Sequence, residues 1–248
     1  MKEEKDVFKK FQDSFKGVEG HYHILEQRIP VEVQMEYFRV SAQVAKEKWP
    51  MDDEAYEHYV ATMQNDEAML SYKKRILAAL ATSKQVRAYR LLEKFIVVAP
   101  EDLRDWTAIA LMEGRIQLES ELSEEKQIYI STGLGGKEGK LRFFVLLGSK
   151  GGMPFQDYQK KTIEREFSYA LPLHDCEIER LTVKEHHVEM LLLVPVLENL
   201  KDRLDEIVHE CNLYGNFLSL SYTITNVKEL SAEEIEEIFR KEDEKKVK

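Results

Sequence analysis

Up to residue 125 the apolar side chains recur every three or four positions, and beyond it they come in short β-branched and aromatic runs bounded by glycine. That change of period constrains the fold most. A helix buries one stripe at a repeat of about 3.6 residues, whereas a strand buries one face at a repeat of about two. The chain therefore reads as α+β with an all-helical first half.

Residues 66–81, DEAMLSYKKRILAALA, put Met69, Tyr72, Ile76, Leu77 and Leu80 on one helical face. Residues 84–99 repeat the device with Val86, Tyr89, Leu91, Leu92, Phe95 and Ile96. Pro100 ends that helix and opens the next, where Glu101 and Asp102 suit the positive end of the helix dipole. Weaker periodicity predicts helices near 3–15, 32–48 and 53–64. Short links between helices of similar length imply antiparallel hairpins. The texture of 81–111 is similar to HEAT and tetratricopeptide-type repeats, but no period of about 34 or 40 residues is sustained.

In the second half, 127–131 and 141–147 read as strands, and a helix follows from Pro154. Strands at 176–183 and 187–194 come next, then a helix over 196–214 with Gly215 placed as a left-handed cap, and a strand at 217–226. From Leu141 the order is strand, helix, strand, strand, helix, strand, the split βαβ arrangement of a ferredoxin-like domain. The strand at 127–131 is expected as an extra hairpin partner that this sheet order does not readily accommodate. Ser231 and Glu234 predict a capping box opening a charged terminal helix. The expected division is 1–125 helical, 126–230 ferredoxin-like, and 231–248 a charged helix and tail.

The glycine-rich stretch 131–144, STGLGGKEGKLRFF, invites comparison with phosphate-binding loops. A Walker A loop fails, because Gly139-Lys140 looks back to Leu134 where glycine is needed and is followed by Leu141, which has no hydroxyl. A dinucleotide fingerprint fails at Glu138. The stretch leads into a strand and not a helix, so it reads as a turn. Lys137, Lys140 and Lys150, the last in the Gly148–Gly152 loop, remain candidate contacts for an anion or an acidic partner.

The tripeptides His174-Asp175-Cys176 and His209-Glu210-Cys211, with His186 and His187, raise metal binding. On a helix, residues i and i+2 point about 200° apart, so His209 and Cys211 cannot grip one ion. No metal, cofactor or catalytic group set is expected, and Cys211 reads as a buried thiol on an apolar face. Two cysteines without a CxxC spacing fit a reducing compartment. With no apolar stretch near the start and no run long enough to span a bilayer, the expected location is the cytoplasm.

The net charge is −10, yet residues 73–94 carry +6 and 126–161 carry +5. Such segregation makes local positive fields on an acidic protein. The leading expectation is a non-enzymatic protein-interaction or adaptor protein, with a protein partner, no membrane partner, and homodimerisation open. The alternative is an RNA or polyanion binder using Lys73, Lys74, Arg75, Lys84, Arg87 and Arg90 with the glycine-rich loops. A third is a small-ligand sensor or enzyme with a pocket between the halves.

Overall fold

A computed structural model describes residues 21–123 and 127–246. The helix expected at 3–15 lies outside the described residues. The chain divides into two units, one within Glu19–Ser131 and the other within Thr132–Lys248.

The first unit is helical, with α1 (Val31–Val44), α2 (Asp53–Gln64), α3 (Leu70–Thr82), α4 (Val86–Val98) and α5 (Glu101–Leu122). Helix α2 begins where the Asp52 carboxylate accepts the Ala55 amide at 2.9 Å. Helix α5 begins after Pro100 with Glu101 and Asp102 in its first turn. Most of the stripes read from sequence converge on one core, with Ile76, Leu77 and Leu80 of α3, Leu92 of α4, and Leu103, Trp106 and Ile109 of α5, whereas Met69 and Val86, read onto the same faces, are exposed. Burying each of the larger aliphatic side chains stabilises the unit by roughly 1.5–3 kcal/mol. The Trp106 indole, wholly interior, donates to the Lys74 carbonyl at 2.9 Å, which satisfies its polar edge.

This unit also contains two short strands, β1 (His21–Ile24) and β2 (Gln127–Ile130), paired in parallel with His21 opposite Gln127. The 127–131 segment is thus a strand, but not the hairpin partner expected for the second unit's sheet. Its backbone groups are met by β1, which removes the conflict over a crowded central strand.

The second unit holds β3 (Gly136–Lys137), β4 (Lys140–Ser149), α6 (Asp157–Ala170), β5 (Glu177–Val183), β6 (His187–Pro195), α7 (Leu200–Leu213), β7 (Leu218–Thr225) and α8 (Ala232–Lys246). The sheet runs β3-β4-β6-β5, with β7 also paired to β4 and every pairing antiparallel. The strand that does hairpin with β4 is β3, through Glu138 (φ 49°) and Gly139 (φ 77°). Positive φ at both central residues is the type I′ geometry that matches strand twist. The glycine-rich stretch is therefore a turn, as its spacing predicts.

Successive β4 residues face opposite sides. Phe144 and Leu146 join Leu191 of β6 and Ile235 of α8 in one cluster. On the opposite side, Tyr222, paired in register with Leu147, donates from its hydroxyl to Asp205 of α7 at 2.6 Å. Helix α8 thus covers one face of the sheet and α7 the other. The Ser231–Glu234 capping box forms, with Ser231 N–H donating to Glu234 at 3.0 Å and Glu234 N–H to Ser231 Oγ at 3.3 Å. After α7 the left-handed residue is Asn216 (φ 51°), while Gly215 takes φ 138°. Asparagine tolerates that conformation, so the cap falls one residue later than expected.

Candidate nucleic-acid interface

Three loops meet at the end of the sheet where β4 finishes. The Ser149 amide donates to the His186 carbonyl at 2.8 Å, Lys150 to Phe217 at 2.7 Å, and Phe155 to Glu185 at 2.7 Å. These bonds tie segment 150–156, the β5–β6 turn and the α7–β7 loop into one rim. Phe155 and Phe217, both buried, pack edge to face beneath it with ring centres 6.1 Å apart. Gly151 and Gly152 take φ of 70° and 67°, and a Cβ on either would meet open space. That backbone is a glycine conformation on an unobstructed surface.

Lys150 projects from this rim, with Lys184 in the β5–β6 turn and Lys160 and Lys161 in the opening turns of α6. None of the four has an ion pair or side-chain hydrogen bond among the described residues. Lys150, Lys161 and Lys184 are exposed and Lys160 is half-buried. The nearby acids in sequence are Asp157, Glu164 and Glu185, and Glu185 approaches His186 at 3.7 Å.

The other cations expected to bind a partner are either buried or meet a carboxylate. Lys73 is buried at 7% exposure. Lys74 pairs with Glu36 at 3.1 Å, Arg75 with Glu47 at 2.6 Å, and Arg90 with Glu93 at 2.6 Å. Lys84 pairs with Glu121, and Arg87 with Asp53. Lys74 and Arg87 also lie over the Trp106 and Tyr56 rings, at 4.4 and 4.2 Å from the ring centres. In the second unit Lys137 approaches Glu138 at 3.8 Å. Lys140 bonds Glu177 at 2.6 Å and Asp175 at 2.9 Å, and those two carboxylates hold its ammonium pKa above the ordinary lysine range. Of the nine residues singled out from sequence, Lys150 alone is both exposed and unpaired among the described residues.

A polar cluster that sequence reasoning missed lies on the α8 side of the sheet. His187 and Glu189 alternate on the central strand β6 and meet at 3.1 Å, and the Phe239 ring of α8 stands 5.7 Å from the imidazole. Nearby on the same sheet the Arg142 guanidinium, 8% exposed, bonds both Glu179 oxygens and donates to the Leu134 carbonyl at 2.7 Å. The available signal was the His-Val-Glu alternation at the start of an otherwise apolar strand.

Among the described residues no group of three or more His, Cys, Asp or Glu side chains could hold a metal ion. Cys176 and Cys211 are free and buried. Between α6 and α7 lies a groove of about 300 Å³ lined by Glu166, Glu206 and Glu210 with His174 and Arg203 over Ala170 and Ile207. Its carboxylates make it a poor place for an anion.

No protein family matches the chain, and no curated protein does. Among solved structures it is similar to a candidate transposase from Deinococcus radiodurans R1, at 15% identity and a TM-score of 0.35, over 44% of this chain and 93% of that one. It is also similar to a REP-associated tyrosine transposase bound to a REP hairpin, at 14% identity and a TM-score of 0.32, over 48% of this chain and 67% of that one. The non-enzymatic adaptor expected from sequence has no counterpart in these two structures, both of which are transposases, and that expectation is not carried further. The cationic faces expected to serve a partner in the helical unit are, moreover, occupied by that unit's own carboxylates. Among the described residues no helix is long and apolar enough to cross a membrane.

Proposed function

We propose that the second unit binds nucleic acid along the phosphate backbone, with Lys150, Lys160, Lys161 and Lys184 as its contacts. The observation that carries this reading is that none of the four has an ion-pair partner among the described residues, with Lys150 and Lys184 on the joined rim and Lys160 and Lys161 on the helix that follows it, on a chain whose net charge is −10. An unpaired lysine contributes its full field to a passing phosphate, whereas one already held by a carboxylate must give up that pair first. Strand order and helix placement support reading the unit as ferredoxin-like. RNA-recognition modules of that architecture use the open sheet face. Here α8 lies on that face, which favours the loop rim instead. Free, buried thiols suit a cytoplasmic location.

The test is binding of a labelled oligonucleotide by the full chain across a salt series. Affinity is expected to fall steeply with salt, and Lys150→Glu and Lys184→Glu each to reduce the slope of log K against log salt by about one. Lys84→Glu and Arg87→Glu are expected to leave that slope unchanged. Absent or salt-insensitive binding would refute the reading.

A further inference from the structure

The rim carries aromatic rings as well as charge. Tyr158, in the first turn of α6, is 50% exposed, and Tyr214, at the end of α7, is 54% exposed. The two belong to one surface: a Cβ on Gly215, the residue after Tyr214, would come within 3.3 Å of the Tyr158 hydroxyl. The Arg165 guanidinium lies 5.5 Å from the Tyr214 ring centre. The same α7–β7 loop reaches the cationic rim through the bond between Lys150 N–H and the Phe217 carbonyl. The two rings and Lys150 therefore lie along one connected path, beside which Arg165 is already held by Glu166 at 2.7 Å.

Charge and exposure decide what fits that path. Phosphates satisfy the lysines whether the nucleic acid is paired or unpaired. Rings, however, can stack only on bases whose faces are free, and in a duplex those faces are already stacked on their neighbours. Farther along α6 and α7, Glu166 pairs with Arg165 at 2.7 Å and Glu206 with Arg203 at 2.6 Å, so the cations here without an ion pair among the described residues are the lysines of the rim. The strand is thereby directed from the tyrosines toward Lys150 and Lys184.

We infer that Tyr158 and Tyr214 are base-stacking residues and that the ligand of this rim is an unpaired nucleic-acid strand. This rests on the nucleic-acid reading above and adds to it the strandedness of the ligand. The aromatic contact also explains why two large rings stay half in water beside a basic rim.

The experiment compares a labelled oligothymidylate with a duplex of equal length, using the full chain, its Tyr158→Ala and Tyr214→Ala variants, and the Phe variants at both positions. The single strand is expected to bind at least about 10-fold tighter than the duplex. Each alanine variant should lose roughly 5- to 100-fold in single-strand affinity at unchanged salt slope, and each Phe variant should retain it. A 2-aminopurine placed in the strand should show a fluorescence change on binding that the alanine variants lose. Equal affinity for both ligands, or alanine variants that bind the single strand normally, would overturn the inference while leaving the backbone-contact reading intact. Failure of both ligands to bind would overturn that reading and this inference with it.

Discussion

Phe239 of α8 lies so close to the backbone at Gly148 of β4 that a Cβ there would come 2.7 Å from its Cε1 atom. A glycine in a central strand ordinarily weakens it, but here the missing side chain is the space into which α8 places its ring. His187, opposite Gly148 in register, meets the same ring from β6. Helix α8 is thus keyed to the sheet here, in addition to the cluster around Ile235. Its ion pairs, Lys228–Glu234 near its start and Lys241–Glu237 within it, are local.

Gly148→Ala should therefore destabilise the second unit by about 1–3 kcal/mol, the usual range for forcing an extra group into a packed site. Phe239→Ala should also destabilise it, by removing the contact with His187 and the sheet. The double variant should cost less than the sum of the singles, because the clash needs both partners. Urea denaturation of the four proteins measures this coupling directly. Strict additivity would mean that the ring does not rest on Gly148.

Helix faces were legible from sequence because they rest on neighbours within a few turns. The stripes through Leu77, Leu92 and Trp106 are those that fill the core. Pairings between distant segments leave no such local trace. Strands β1 and β2 are four residues each, and they pair His21 with Gln127 across the whole helical unit. The charge sum over 73–94 was correct as arithmetic, yet it could not show that Lys74 meets Glu36 or that Lys84 meets Glu121. The sequence raises His187 only as a metal candidate beside His186, and its pairing with Glu189 leaves no local trace because two polar residues opening a strand resemble its solvated end. Only the sheet order shows that this end lies under α8.

In the helical unit the Glu113 carboxylate accepts from the Tyr37 hydroxyl at 2.6 Å and from Ser41 Oγ at 2.8 Å, joining α1 to α5. Tyr37 is fully buried, and burial followed by the Glu113 charge pushes its hydroxyl pKa well above the ordinary tyrosine value. Glu113→Leu strands two buried donors and should cost about 2–4 kcal/mol. Glu113→Gln retains an acceptor and should cost less. A hydroxyl whose pKa is raised by folding contributes stability below its unfolded value near 10, and that contribution is lost as pH rises toward the folded value. The wild-type unit should accordingly lose stability above about pH 10, and in Glu113→Gln Tyr37 should ionise at lower pH in an alkaline absorbance titration.

Arg87 tests the worth of the paired cations. Its partner Asp53 is 87% exposed on the side chain, so the pair sits in water and contributes no more than about 1 kcal/mol. The contact of the guanidinium with the Tyr56 ring adds a similar amount. Arg87→Ala should therefore lower stability by less than about 2 kcal/mol, with high salt removing part of the difference. Thermal unfolding at low and high ionic strength reads both quantities.

The two cysteines give the last expectation. Cys176 is 1% exposed and Cys211 fully buried, and burial raises their thiol pKa to about 11 and about 12 from an ordinary value near 9. A buried thiol that stays protonated is a poor nucleophile, since the thiolate is the reacting species. In the folded protein at pH 8, a thiol-specific disulfide reagent should therefore react with neither cysteine on a timescale of minutes, and in denaturant it should titrate both at once. Each raised pKa also contributes stability that is complete below pH 9 and disappears as pH climbs through the folded values, so Cys211→Ala should narrow the gap in stability between pH 8 and pH 11. A thiol that reacts rapidly in the native state would show that its pocket opens, and would remove the basis for treating both cysteines as inert packing.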